Sequence, residues 1–203
     1  MKMFCVGRNY AEHAKELGNA VPDEPVIFMK PKSALLQPHV PFYYPEFTNN
    51  LHYECELVLR IAKNGKYIPE NFAHKYYDAI TVGIDFTARD IQTKLKEKGL
   101  PWERAKAWDN SAVVGKFLPI SGISNRKSID FSFKKNGELA QQGNSSEMIH
   151  SFDKIICFIS NYFSVNIGDL IFTGTPAGVG ETVTGDVLEG FLGEENLFKL
   201  EVK

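Results

Sequence analysis

The chain has 203 residues, 43% hydrophobic and 24% charged, with a formal net charge of −2. This balance belongs to a folded protein rather than a disordered or membrane-embedded one, and the dispersed Lys and Arg residues form no basic stripe. Neither nucleic acid nor a membrane is therefore expected as a partner, and the length suits a single domain over 1–203. No run approaches the roughly 18 apolar residues of a membrane span. The opening MKMFCVGRNY lacks the apolar core and cleavage site of a signal peptide. Cys5, Cys55 and Cys157 are odd in number and show no Cys-x-x-Cys spacing, so they read as reduced residues of a cytoplasmic protein.

In chain order, Met3 to Val6 reads as a short apolar strand, after which Asn9 is predicted to cap a helix from Tyr10 to Leu17, ended by Gly18. His13 and Glu16 stand three apart on that helix and share a face, as an oriented base or a surface pair would. Val26 to Met29 is a strand ending at Lys30-Pro31, and Pro38, Pro41 and Pro45 then keep the chain extended.

The stretch LHYECELVLR, Leu51 to Arg60, has the alternation of a strand. Tyr53, Cys55, Leu57 and Leu59 line one face. Glu54 and Glu56 share the other, roughly 6 to 7 Å apart along the backbone. A solvated face explains such a pair, as does a divalent cation held by oxygen ligands or a nearby pair of basic residues.

Asn64-Gly65 is a hairpin signal, and Ala79 to Phe86 is a strand with Asp85 near its end. The T-A-R-D pattern from Thr87 predicts a capped helix from Ala88 to about Lys98, with Arg89 and Gln92 on one face. Ala112 to Leu118 and Ile129 to Phe133 read as strands, with Asn136-Gly137 turning the latter back through Glu138 to Gln142. Apolar spacing predicts a helix from Ser146 to Phe163. The strand Leu170 to Thr173 then enters Gly174-Thr175-Pro176-Ala177-Gly178-Val179-Gly180, a loop without the ending of a phosphate-binding motif whose N–H groups suit a carboxylate. Asp186 to Gly190 and Leu197 to Val202 are closing strands.

The ordered segments GRNYAEH, MKP, LHYECEL, IDFTARDIQ, KGLPW, AKAWD, NGEL and GDLIFTGTPAGVG resemble the fumarylacetoacetate hydrolase family over nearly the whole chain. The short acylpyruvase and oxaloacetate-decarboxylase-like members are the most similar. The resemblance implies an α+β, mostly β fold, a mixed β-sandwich roll with a few peripheral helices, assembled as a homodimer. It implies Glu54, Glu56 and Asp85 as ligands of Mg²⁺, for which Mn²⁺ or Ca²⁺ can substitute; three hard oxygen donors agree with that choice. Longer members carry a fourth carboxylate upstream of the catalytic His, but Val6 stands seven before His13, so a three-ligand site is expected.

By the same resemblance His13 and Glu16 form a catalytic dyad on a ligand-ordered lid, and Lys106 is a catalytic cation. Arg89, Gln92, Gly174 and Thr175 bind substrate. The implied substrates are 2-oxo acids, with acylpyruvates hydrolysed or oxaloacetate decarboxylated through a metal-stabilised pyruvate enolate. An isomerase or tautomerase of unsaturated 2-hydroxy or 2-oxo diacids is the alternative on the same residues. A non-catalytic Ca²⁺-binding module is the rival of another class, and it leaves Lys106, Arg89 and Gln92 unexplained.

Overall fold

The computed structural model describes every residue except Leu17, Asn19 and His39. β1 (Met3–Gly7) leads into helix α1 (Ala11–Glu16), followed by β2 (Val26–Lys30), β3 (Leu51–Tyr53), β4 (Cys55–Ile61) and α2 (Glu70–Ala73). Then come β5 (Tyr77–Asp85), β6 (Thr87–Ala88), α3 (Arg89–Glu97), α4 (Glu103–Lys106), β7 (Ala112–Val114) and β8 (Leu118–Pro119). The last third holds β9 (Asp130–Lys135), β10 (Glu138–Asn144), α5 (Phe152–Tyr162), β11 (Leu170–Phe172), β12 (Gly180–Glu181), β13 (Val187–Leu192) and β14 (Glu195–Glu201). Strands dominate, as expected of an α+β, mostly β chain. No helix among the described residues is long and apolar enough to cross a membrane.

The largest sheet has the order β2-β1-β11-β4-β5-β7, with β8 also on β5; a second runs β10-β9-β13-β14, and a small third β12-β3-β6. The large sheet is mixed, because β1 pairs parallel with β11 while β4 and β5 pair antiparallel. Period-two alternation sends apolar side chains to both its faces. Phe4 and Val6 of β1 and Cys55, Leu57 and Leu59 of β4 join the main core, while Met3, Cys5 and Val58 join a smaller one opposite. Phe131, Phe133 and Leu188 of the second sheet complete the main core, so the two sheets form a sandwich. Helix α5 buries Phe152, Ile155, Ile156 and Ile159 against it.

Several expected local features give way to tertiary contacts. Leu51 to Arg60 is two strands: β3 pairs with β6 and β12, β4 with β5 and β11, and Glu54 lies at the break. Asn9 caps nothing. Its amide instead donates to the carbonyls of His150 (3.0 Å) and Thr173 (2.8 Å) and accepts from the His150 N–H. The expected end of the first helix, Leu17, lies outside the described residues. Thr87 makes no capping box, because Lys106 Nζ donates to its hydroxyl at 2.6 Å and α3 starts two residues later. Gly65 pairs with Val165 rather than turning a hairpin, and α2 lies between β4 and β5. The long helix expected from Ser146 begins only at Phe152, capped by the Ser151 hydroxyl, after a separate 3-10 turn at Ser145–Glu147. Asn136-Gly137 does turn the β9–β10 hairpin, with φ of 55° and 83°.

Candidate metal centre and active site

Antiparallel pairing of β4 with β5 brings three acids to one end of two adjacent strands. Glu56 lies opposite Gly83, and the Asp85 N–H donates to the Glu54 carbonyl at 2.8 Å. Gly83 is required by close approach, since a Cβ there would stand 2.5 Å from the Val113 carbonyl oxygen. Ligand oxygens of Glu54, Glu56 and Asp85 all lie within 4.8 Å of one another, and the three residues are 6%, 2% and 1% exposed. Burial removes the solvated-face explanation.

The surrounding cations are unevenly shared. Glu54 accepts from Arg89 Nη2 at 2.6 Å and from Lys106 Nζ at 2.7 Å. Asp85 lies 2.8 Å from Lys106 Nζ and 2.8 Å from Lys30 Nζ. Glu56 accepts the Gly174 N–H at 2.7 Å, with no ion pair among the described residues. Burial alone would raise the pKa of Glu54, but Lys106 and Arg89 hold it well below the usual carboxylate range. For Glu56 burial works together with Asp85 and Glu54, and its carboxyl is pushed well above the usual range. Burial opposes the charge on Lys106, yet Asp85 and Glu54 prevail and raise its pKa.

The cluster therefore lacks positive charge at Glu56. Three buried, hard oxygen donors with that deficit fit a divalent cation held by Glu54, Glu56 and Asp85. A pH dependence follows. Because Glu56 in the metal-free fold titrates above its ordinary 4.5, ion binding must displace its proton. Apparent Mn²⁺ affinity should rise with pH from about 4.5 up to the raised pKa of Glu56, by up to about tenfold per unit for one displaced proton. Titration calorimetry across that range measures it; a flat profile would mean that Glu56 keeps its proton or is no ligand.

Helix α1 closes over this centre. His13, 4% exposed, places Nδ1 3.3 Å from Glu16 Oε2, and the Glu16 carboxylate accepts the Gly178 N–H at 3.1 and 3.3 Å. The dyad is thereby tied to the glycine-rich loop. Gly174 has φ of 103°, and a Cβ there would stand 2.7 Å from Asn9 Cβ. Arg89 Nη1 donates to Gln92 Oε1 at 2.7 Å. The cleft, about 40 Å³, is lined by His13, Glu54, Glu56, Asp85, Arg89, Gln92, Lys106 and Thr175, together with Arg8, Phe28, Lys96 and Trp102. Glu16 and Gly174 stand behind it, each bonded to a lining residue.

Sequence reasoning gave no role to two residues that the site uses. Lys30, 1% exposed, reaches Asp85 and donates to the carbonyls of Ser111, Phe86 and Lys106. Its signals are its place as a Lys ending an apolar run before Pro31 and its presence in the MKP segment. Gln141, 2% exposed, donates to the Thr175 hydroxyl at 2.8 Å.

Together, the fold and the centre define a class: mixed β-sandwich enzymes in which a buried carboxylate triad stands beside basic side chains. The model of the fumarylacetoacetate (FAA) hydrolase C-terminal domain matches residues 2–201, and the chain belongs to that family of enzymes. It is 40% identical over 188 residues to oxaloacetate tautomerase YcgM of Escherichia coli (strain K12), covering 92% of this chain and 86% of that protein. It is 42% identical over 187 residues to the mitochondrial oxaloacetate tautomerase FAHD1 of Homo sapiens, covering 92% and 85%. Fumarylpyruvate hydrolase from Pseudomonas aeruginosa, solved in complex with Mn²⁺ and pyruvate, has a TM-score of 0.93 at 37% identity over 100% of this chain and 89% of that one.

Proposed function

We propose that this chain is a Mg²⁺-dependent enzyme of 2-oxo acids, in which Mn²⁺ or Ca²⁺ can substitute, that forms and collapses the enolate at C3 of oxaloacetate and of acylpyruvates. The observation that carries this reading is the buried triad with its charge deficit at Glu56. The ion held by Glu54, Glu56 and Asp85 supplies, when bound, polarisation of the 2-oxo carbonyl and stabilisation of enolate charge.

The chain's own residues do the rest. Thr175, in the cleft wall, takes the carboxylate next to the keto group, and the Gly174 N–H holds Glu56 in place. Arg8, Arg89 and Lys96 line the cleft as well, which suits a second carboxylate and hence a dianionic substrate such as oxaloacetate. With Glu16 accepting from His13 Nδ1, Nε2 is left as the base. It takes a proton from C3 or activates the water that attacks the distal ketone of an acylpyruvate. In decarboxylation the C3–C4 pair flows into the enolate, CO₂ leaves, and C3 takes up one proton from solvent, which His13 Nε2 relays after picking it up from water. Lys106, kept charged by Asp85 and Glu54, acts as a fixed positive charge near the enolate and not as a base. His13 brings α1 to the cleft wall and Glu16 ties it to the glycine-rich loop, so α1 is the segment proposed to act as a lid over the substrate.

A second reading, proton transfer alone, is supported by the names of the two oxaloacetate tautomerases, whereas the Pseudomonas hydrolase supports C–C cleavage. Pyruvate release from oxaloacetate and acetylpyruvate, followed beside keto–enol exchange with Mg²⁺ present, separates the two. We expect Mg²⁺-dependent pyruvate release and a loss of roughly 10²- to 10⁴-fold in His13→Ala at unchanged metal content. Acceleration of exchange alone would leave the tautomerase, and unchanged turnover in His13→Ala would remove His13 as the base.

We further propose one catalytic domain, a homodimer and a cytoplasmic location. Three unpaired cysteines suit a reducing compartment, and the family resemblance supports the dimer, which sedimentation velocity checks.

A further inference from the structure

In β10 the period-two pattern of a strand is broken: Leu139 and Gln141 would share a face, yet Leu139 is 59% exposed and Gln141 2% exposed. The cause is a bulge. Leu139 pairs with Lys134 and Gln141 with Phe133, which leaves Ala140 as an extra residue. Bulges re-aim side chains, and this one turns a polar residue of the second sheet inward, beneath the substrate loop. The loop accommodates it through Gly178, where a Cβ would stand 2.5 Å from the Ala140 carbonyl oxygen.

All the hydrogens of the Gln141 amide are committed. Its Oε1 accepts the N–H of Cys55, the residue between Glu54 and Glu56, at 2.9 Å, which determines the end of the amide that carries oxygen. Its Nε2 donates to the Thr175 hydroxyl at 2.8 Å and to the Pro176 carbonyl at 3.0 Å. A hydroxyl that accepts one bond still has its own hydrogen to direct. Within the loop the acceptor in reach is the Pro176 carbonyl, 3.5 Å away and already bonded by Gln141. Thr175 is 3% exposed and lines the cleft.

We propose that Gln141 is a positioning residue: it occupies the Thr175 hydroxyl as a donor, turns that hydroxyl's hydrogen into the cleft toward an anionic oxygen of the ligand, and ties this contact to the strand bearing Glu54 and Glu56. The inference rests on Thr175 as the contact for the substrate carboxylate. It predicts a bound-ligand defect without a metal defect.

The test uses the full chain loaded with Mn²⁺, with pyruvate and oxalate as calorimetric probes, and KM and kcat on the 2-oxo acid turned over. In Gln141→Met, pyruvate and oxalate affinity should fall and KM should rise by about 10- to 100-fold, the range for a lost hydrogen bond to a charged group, with kcat changed less. Mn²⁺ affinity should stay within roughly threefold, since no ligand is touched. Gln141→Glu keeps an acceptor for the Cys55 N–H and carries the test if the Met variant does not fold. Its second oxygen accepts the Thr175 hydrogen and draws it out of the cleft, so the same loss is expected. In a Thr175→Val background either change should add almost nothing. Unchanged pyruvate affinity in the variants, an equal further loss without the Thr175 hydroxyl, or a loss that follows weakened Mn²⁺ binding would each overturn the inference. A Mn²⁺-loaded wild type that binds neither pyruvate nor oxalate overturns the functional reading itself, which is a distinct result.

Discussion

Glu56→Gln should lower metal-dependent turnover by about 10³-fold or more and weaken Mn²⁺ binding, while the metal-free protein melts at the same or a higher temperature. The substitution is isosteric, and the amide oxygen still accepts the Gly174 N–H that Glu56 accepts at 2.7 Å. What disappears is a carboxyl held against burial and against Asp85 and Glu54, which costs stability whenever it ionises. A carboxyl with a raised folded-state pKa destabilises the fold increasingly as pH rises above its ordinary 4.5, and the amide removes that cost.

Glu54→Gln, also isosteric, should behave oppositely. It leaves Lys106 and Arg89, now 2.7 and 2.6 Å from the carboxylate, without their counter-charge, at a cost of about 3 to 5 kcal/mol. Thermal denaturation in chelator, beside Mn²⁺ stoichiometry, compares the pair. Full Mn²⁺ occupancy and turnover in Glu56→Gln, or a melting loss equal to that of Glu54→Gln, would sink this division between a residue that serves the ion and one that also serves the fold.

Lys30→Met should be strongly destabilising although Lys30 lies outside the triad. The ammonium lies 2.8 Å from Asp85 and donates to the Ser111 and Phe86 carbonyls at 3.0 and 3.4 Å and to the Lys106 carbonyl. Removing it leaves a buried carboxylate short of one cation and three carbonyls short of a donor. The expected loss is about 3 to 5 kcal/mol, which for a chain of this size lowers the melting temperature by roughly 6 to 20 °C. The gain from burying a Met side chain is smaller, about 1.5 to 3 kcal/mol, and Lys30 already buries its own stem. Adding Asp85→Asn should recover part of the loss, because it removes the orphaned charge. A melting temperature within about 2 °C of wild type, measured in chelator, would show that Lys30 is not the counter-charge on which Asp85 depends.

How much of this was readable in advance depends on the range of each signal. The apolar run of Met3 to Val6, the strand pattern of Ala79 to Phe86 and the alternation of Ile129 to Phe133 marked strands correctly, and Asn136-Gly137 its hairpin, because period and turn chemistry are local. The residue types of the triad, the dyad and the glycine-rich loop were also visible, and their ordered segments identified the family. Local signals failed where a distant partner made the better bond. Thr87 exchanged a helix cap for Lys106, Asn9 exchanged one for His150 and Thr173, and the strand through Glu54 broke so that its halves could join different sheets.

The sequence by itself determined the fold class, the oxygen-donor chemistry of the centre and most of the side chains around it. Only the tertiary structure decided how charge is distributed among them. Lys30 meets Asp85 and Ser111 from 55 and 81 residues away, and Gln141 meets Cys55 and Thr175 from 86 and 34. Such partnerships leave no periodic trace, because they are set by sheet order and by a single bulge. They nonetheless decide which carboxylate lies between two cations, which has only a backbone N–H beside it, and which amide the Thr175 hydroxyl meets.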